Sequence, residues 1–462
     1  MSLLDTARNA LNAGGRNGLA STERRDPIGL AVAGLNRLAG TDLLDRFGIR
    51  KQTEETVYRV TSAGFKTLGA TSRVFARAGK ATKGARPATA ATSTGVFDLT
   101  PSEDDQMLVD VVTELADEVV RPAAADADTA CEAQAEVLEA TVELGLPILG
   151  LPEKVGGISE ERTAMAGTLV HEALAKGDMG LAVAALAPGA VATAIGLFGT
   201  DEQQQTYLPA FTEPAGDTGV PAAALALTEP RVLFDPRTPQ TTARREGDGF
   251  VLDGVKSMVP RGADAELFVV GAMLDGTPAL FLVESGTEGI TIESEPSMGV
   301  RAASLSRLHL DGVRVGAIAL LGDPDGTSYA ETLRLSRLAW CALSVGTAQA
   351  VLDYVTPYVK EREAFGEPIA HRQSVAFMVA NIAIELQAMR LVTYKAAGRV
   401  AAGKDATREI GLAHRICTEK GMQIGLDGVQ LLGGHGFVKE HPVERWYRDL
   451  RAIGVMEGGV LV

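Results

Sequence analysis

Apolar and polar positions change rhythm along this chain. From about residue 101, Val109, Val112, Leu115, Ala116 and Val119 recur at helical spacing. Pro101-Ser102-Glu103-Asp104 just before them is a helix start signal, with acids in the first turn. Alanine-rich stretches at 160–198 fit closely packed helices, so the segment from about 101 to 220 reads as helical. Around 221 the period shortens. Phe250-Val-Leu-Asp-Gly, Leu267-Phe-Val-Val-Gly, Ala279-Leu-Phe-Leu-Val and Leu308-His-Leu-Asp-Gly-Val are short β-rich runs bounded by Gly and Asp, which predicts a sheet domain. Helical periodicity returns over 329–361, 371–402 and 405–432. The expectation is a mostly α chain with a central β domain and no internal repeat.

The first 95 residues follow neither rhythm for long. Segment 56–77 has Val57, Val60, Gly64, Leu68 and Phe75 on or near one helical stripe, flanked by Arg59, Lys66, Arg73 and Arg77. A second apolar stretch runs from Ile28 to Leu44, and residues 79–95 have the small, Pro/Gly-punctuated composition of a linker. A chain of 462 residues is too long for one ordinary core. The expected domains are an N-terminal extension (1–95), a helical domain (96–220), a β domain (221–328) and a C-terminal helical domain (329–462).

Charge sharpens this division. Residues 1–87 hold 15 Lys+Arg against 7 Asp+Glu, whereas the remainder holds 29 against 52. A basic arm is thus joined to an acidic body, and the acidic body offers no broad nucleic-acid footprint. The arm reads as a targeting peptide, as a membrane-surface or partner contact through residues 28–77, or as a positive wrap on the negative body. Cys131, Cys341 and Cys417 lie far apart and form no CxxC pair, which argues against a disulfide framework or zinc site and for reduced, buried thiols. No uninterrupted apolar stretch is expected to reach the roughly 20 residues that span a bilayer, so the chain reads as soluble or peripheral.

A series of motifs then falls in register. Gly145-Leu-Pro-Ile-Leu-Gly-Leu-Pro152-Glu-Lys-Val-Gly156-Gly157 is followed by Gly199-Thr-Asp-Glu-Gln-Gln-Gln-Thr-Tyr207-Leu208-Pro209 and by Ala226-Leu227-Thr228-Glu229-Pro230. Arg362-Glu-Ala-Phe365-Gly366-Glu-Pro-Ile369-Ala-His-Arg-Gln373 comes next, then Gln430-Leu-Leu-Gly433-Gly434-His-Gly436-Phe437, with Arg448-Asp449 and Met456-Glu457-Gly458 closing the series. Together they cover about residues 101–462 and resemble the acyl-CoA dehydrogenase family. The resemblance implies a helical domain, a β-barrel or sandwich domain and a C-terminal four-helix bundle.

It also implies FAD-dependent α,β-dehydrogenation of a fatty acyl-CoA, here expected to be long-chain, to the trans-2-enoyl-CoA. A carboxylate removes the α-proton, and Glu457 lies nine residues after Arg448, where the family places that base. An apolar, water-poor pocket suits such a base, and Val455 and Met456 are its expected walls. Some relatives carry the base just before an arginine on a helix of the last domain. The matching pair here is Ser336-Arg337, so the assignment falls to Glu457, with Arg337 and Phe234 expected near the acyl-CoA. Leu227, Thr228, Met258, Pro260 and Gly458 are implied at the flavin ring, and Gln430 and Gly434 form a second set of FAD contacts. Arg362, Phe365 and Gln373 resemble the residues that reach the adenine and pyrophosphate of FAD in a neighbouring subunit. The implied partners are acyl-CoA, an electron-transfer flavoprotein or similar acceptor, and further copies in a homodimer or tetramer. The expected location is cytoplasmic with peripheral contact to a bacterial inner membrane, or else the mitochondrial matrix.

Three stretches depart from the family. Arg231-Val232-Leu233-Phe234-Asp235 replaces a Gly-Ala-Gly-Ser-Asp loop. Met258-Val259-Pro260-Arg261 replaces Trp-Ile-Thr/Ser-Asn, and Pro260 has no N–H to offer a flavin. Gly459 stands for threonine, and relatives continue into a further helix beyond the position of Val462. These changes frame an alternative, a catalytically degraded relative that binds acyl-CoA, a membrane or a partner as a scaffold.

Overall fold

Ser102 opens the first helix with a reciprocal cap. Its hydroxyl accepts from the Asp105 N–H at 3.1 Å, while its own N–H donates to the Asp105 carboxylate at 3.2 Å. The computed structural model describes residues 102–158, 160, 162–212 and 220–462. The basic arm, with the contact expected of residues 28–77, lies outside the described residues.

The helical first part comprises α1 (Glu103–Leu115), a π-turn, α2 (Arg121–Ala130), α3 (Ala135–Glu143), α4 (Ala164–Gly177), α5 (Met179–Phe198) and α6 (Asp201–Thr212). Helix α5 corrects one expectation. Its 20 residues, with no charged side chain, are long and apolar enough to span a bilayer by length and composition. An all-round apolar helix belongs in a core, and 78% of its apolar window is buried inside the fold.

The middle strands are β1 (Ala223–Ala226), β2 (Thr242–Glu246), β3 (Gly249–Val259), β4 (Leu267–Leu274), β5 (Thr277–Glu284), β6 (Ile290–Ser294), β7 (Ser306–Val315) and β8 (Leu320–Leu321). They form one sheet ordered β6-β7-β3-β2-β4-β5-β8, with β1 added parallel to β4. Alternating side chains of these strands, such as Leu252, Phe268, Val270 and Phe281, make a core separate from the helical one.

The last part holds α7 (Thr327–Glu361), the hairpin β9 (Glu363–Ala364) and β10 (Glu367–Pro368), then α8 (Gln373–Ala401), α9 (Thr407–Leu432) and α10 (Val443–Asp449). The three long helices start and stop within two residues of the periodic segments. Helix α7 packs on α4, α9 and α8, and Gly346 permits the first contact. A Cβ there would stand 2.0 Å from the Glu172 carbonyl oxygen.

Buried charges join the three parts. Arg445 Nε donates to Asp178 at 2.9 Å, and Asp178 also caps α5 through the Leu181 N–H. Arg448 bonds both Asp128 oxygens, at 2.8 and 2.9 Å. Asp449 accepts from the Val300 N–H at 2.6 Å, tying the sheet domain to the same cluster. Burial, reinforced by the charge of Asp178, pushes the Asp449 carboxyl up to about 8.

Candidate active site

A 3-10 turn over Ala452–Gly454 brings the chain back from α10 onto α7, and Glu457 follows. Thr228, at the end of β1, holds its main chain from one side. The Thr228 hydroxyl accepts from the Glu457 N–H at 3.0 Å and donates to the Glu457 carbonyl at 2.8 Å. Helix α7 holds the next residue from the other side. The Gly458 carbonyl accepts from the Ser336 hydroxyl at 3.0 Å and from Trp340 Nε1 at 2.8 Å. Ser336, Arg337 and Trp340 share one stretch of helix, so the same element that pins the loop also presents a guanidinium to it.

That guanidinium meets the carboxylate directly. Arg337 Nε lies 3.1 and 3.0 Å from the two Glu457 oxygens, and Nη2 lies 2.5 Å from Oε1. The side chains are only 20% and 11% exposed. Burial opposes the Arg337 charge, but Glu457, with Asp235 behind it, outweighs that cost and holds its pKa above the ordinary value. Arg337 therefore orients Glu457 rather than facing open solvent.

Met456 is buried beside the carboxylate as expected, but Val455 is 57% exposed and is no wall of the site. Two groups that sequence reading did not single out feel the charge of the carboxylate. Tyr329 of α7 donates to the Pro236 carbonyl at 2.6 Å. Burial, then the charges of Glu229 and Glu457, raise its pKa. His414 of α9 feels both Glu457 and Arg337, and burial keeps its pKa below the ordinary value. Only the fold could reveal these two, because each comes from a different helix with no shared motif.

The remaining candidates fall into two groups. Leu227 and Thr228 are buried, as are Pro260 and Gly458, and Met258 is half-buried with φ 55°. The Gly458–Gly459 turn lies on them: a Cβ on Gly458 would meet Leu227 at 3.0 Å, and one on Gly459 would meet Pro260 at 3.1 Å. Phe234 is half-buried under Arg231, while Val232 and Leu233 beside it are almost fully exposed. Arg362, Phe365, Gln373, Gln430 and Gly434 form the second group, all exposed. They gather at the far end of the bundle, where Tyr358 bonds His435 at 3.0 Å and Arg372 covers the Phe365 ring. From Arg337 to Arg362, α7 advances about 37 Å at roughly 1.5 Å per residue. One flavin dinucleotide cannot join both groups within a single copy.

Comparison with known proteins agrees with this architecture. The acyl-CoA dehydrogenase N-terminal, middle and C-terminal domains match residues 102–214, 224–313 and 325–459. Among curated proteins, the 3-(aryl)acrylate reductase of Clostridium sporogenes is 30% identical over 366 residues, covering 77% of this chain and 95% of that protein. The mitochondrial short-chain specific acyl-CoA dehydrogenase of Bos taurus is 32% identical over 365 residues, covering 77% and 87%. The chain belongs to the acyl-CoA dehydrogenase family. The solved butyryl-CoA dehydrogenase of Megasphaera elsdenii superposes with a TM-score of 0.71 at 28% identity, covering 78% of this chain and 95% of that one. The family is FAD-dependent, and this member is an oxidoreductase that acts on acyl-CoA.

The residues present fit FAD at both ends, in different ways. At the bundle end, the Arg362 guanidinium and the Gln373 and Gln430 amides are exposed donors suited to phosphate and adenine edges. At the ring end, Thr228 and the main chain of Gly458 are the polar groups, and Leu227, Met258 and Pro260 are the apolar bed. The Gly458–Gly459 turn lies close to this bed, since a Cβ on Gly458 would stand 3.0 Å from Leu227 and one on Gly459 3.1 Å from Pro260.

Proposed function

We propose that this acyl-CoA dehydrogenase converts an acyl-CoA to its trans-2-enoyl-CoA with Glu457 as the α-proton acceptor. The observation that carries the reading is the double restraint on Glu457. Its main chain is fixed by Thr228 and its carboxylate by Arg337. A carboxylate offers about four lone-pair sites and the Arg337 fork occupies only some of them, so a proton can be taken without dismantling the pair. FAD supplies the two-electron acceptor for the β-hydrogen when bound. The residues proposed to hold it are Leu227, Thr228, Met258, Pro260 and Gly458 of one copy, with Arg362, Phe365, Gln373, Gln430 and Gly434 of the next.

A second copy also suits the surface. Helix α8 shows Phe377, Ile384 and Leu391 at 62%, 65% and 57% exposure, one heptad apart. An apolar stripe of that length on an otherwise acidic body is accounted for by a homodimer or tetramer. The proposed electron acceptor is an electron-transfer flavoprotein or similar carrier. The named relatives act on short chains or an arylacrylate, so the long-chain expectation finds no support among them. Neither does the non-catalytic scaffold.

The test is optical. Protein reconstituted with FAD should show a flavin spectrum that bleaches on adding acyl-CoA, and Glu457→Gln should keep the spectrum but lose the bleaching. Equal bleaching in the mutant would assign the proton to another base.

A further inference from the structure

The end of β3 is built unlike the rest of the sheet. Lys256 pairs with Leu308 and Val259 with Ser306, so Ser257 and Met258 stand opposite Arg307 alone. Such a two-against-one bulge bends a strand and re-aims a side chain, and bulges gather beside active sites. Met258 takes φ 55°, in the left-handed region that a residue with a long side chain enters only when its surroundings hold it there.

Glu295, just after β6, supplies that hold. Its carboxylate accepts from the Met258 N–H at 2.8 Å, the Ser257 hydroxyl lies 2.9 Å from each oxygen, and Arg307 Nη2 lies 2.5 Å from Oε1. The side chain is 11% exposed. Burial opposes its charge, but the Met258 N–H, Arg307 and Ser257 outweigh that and keep the carboxyl below its ordinary range. The pair with Arg307 alone would make Glu295 one more carboxylate at the sheet edge. The two bonds to the bulge set it apart.

The bulge in turn grips the base. The Ser257 N–H donates to the Thr228 carbonyl at 2.9 Å, and the Thr228 hydroxyl bonds the Glu457 N–H and carbonyl. A line of hydrogen bonds thus runs from Arg307 through Glu295, Ser257 and Thr228 to the Glu457 main chain. We propose that Glu295 is a positioning residue of the reaction, fixing through one carboxylate both the Met258 bed and the Thr228 grip on Glu457. This rests on the reading of Glu457 as the base and of Met258 as part of the flavin-ring bed. It adds that ring bed and base are set at one spacing by a residue that touches neither reacting atom. A carboxylate suits the task because it only accepts, and three donors converge on it. Without it, Met258 returns to the extended region, and the bulge and Thr228 move with it.

The experiment compares full-length, FAD-loaded wild type, Glu295→Gln and Glu295→Ala by stopped-flow bleaching. The thioester is whichever of butyryl-, octanoyl- and palmitoyl-CoA bleaches wild type fastest. Glutamine keeps the shape but turns one oxygen into a donor, so the three converging donors no longer all bond. Both variants should bleach at least ~10-fold more slowly at saturating thioester, with half-saturation moved by less than ~3-fold. The visible band of the oxidised flavin should shift in both, because the main chain beneath the ring has moved. Glu293→Gln removes a 62%-exposed carboxylate two residues away and should change neither reading. If Glu295→Ala does not accumulate, the isosteric Glu295→Gln decides. A limiting rate and a spectrum like those of wild type in Glu295→Gln overturn the proposal, even if that variant melts at a lower temperature. The same result, with Glu457→Gln still unable to bleach, leaves the base assignment standing. A wild type that none of the three thioesters bleaches removes both.

Discussion

Arg337 and Glu457 are the two residues whose separation should be most informative. Arg337→Lys keeps the charge but loses the planar fork that meets both carboxylate oxygens. A base misplaced by about 1 Å can cost about 10²-fold in rate, so kcat is expected to fall by that order while thermal stability changes little. His171 offers a pH test instead. Burial pulls its pKa down to about 4, against about 6.5 in the unfolded chain. The folded state therefore stays neutral while the unfolded state gains a proton below pH about 6.5, and stability is lost as pH falls from there towards 4. At pH 5 the loss is about 2 kcal/mol. Thermal unfolding at pH 7 and pH 5 should show a smaller difference in His171→Leu than in wild type. Lys256 is a third case, buried against Glu229 at 2.9 Å, with burial holding its pKa down to about 8. Lys256→Met would strand that carboxylate, with an expected loss of about 3–5 kcal/mol in denaturant titrations.

At the scale of elements, Gly346→Ala is expected to cost more than about 2 kcal/mol, since its methyl must push α7 off the Glu172 carbonyl. Equilibrium unfolding in urea would measure it. The long helices and the strands were legible because periodicity records which face each element buries. Glu457 was proposed as the base from its fixed interval after Arg448, and the structure adds its pairing. The pairing of Glu457 with Arg337 was not legible, since 120 residues separate the partners and no local pattern encodes a contact across α7. For the same reason the bond from Thr228 to the Glu457 main chain was not legible either. Helix α5 was misjudged differently: an all-apolar run reports burial, and its sequence does not say whether protein or lipid does the burying.

For the whole molecule, the α8 stripe sets the first test. Ile384→Asp should shift the assembly towards monomer in light scattering. On the proposed assignment, in which one copy supplies the ring-end residues and the next the bundle-end donors, it should also lower flavin content. The buried cluster of Asp128, Asp178, Arg445, Arg448 and Asp449 has a different consequence. Each arginine and aspartate in it links a segment that could otherwise loosen alone: the first helices, the loop of the sheet domain and the last helix. Opening any one of them strands ions inside the other two. Calorimetry should accordingly record one endotherm for residues 102–462, not three, and a protease should find no long-lived intermediate fragment. The three domains would then be foldable only together, a single thermodynamic unit despite their separate cores.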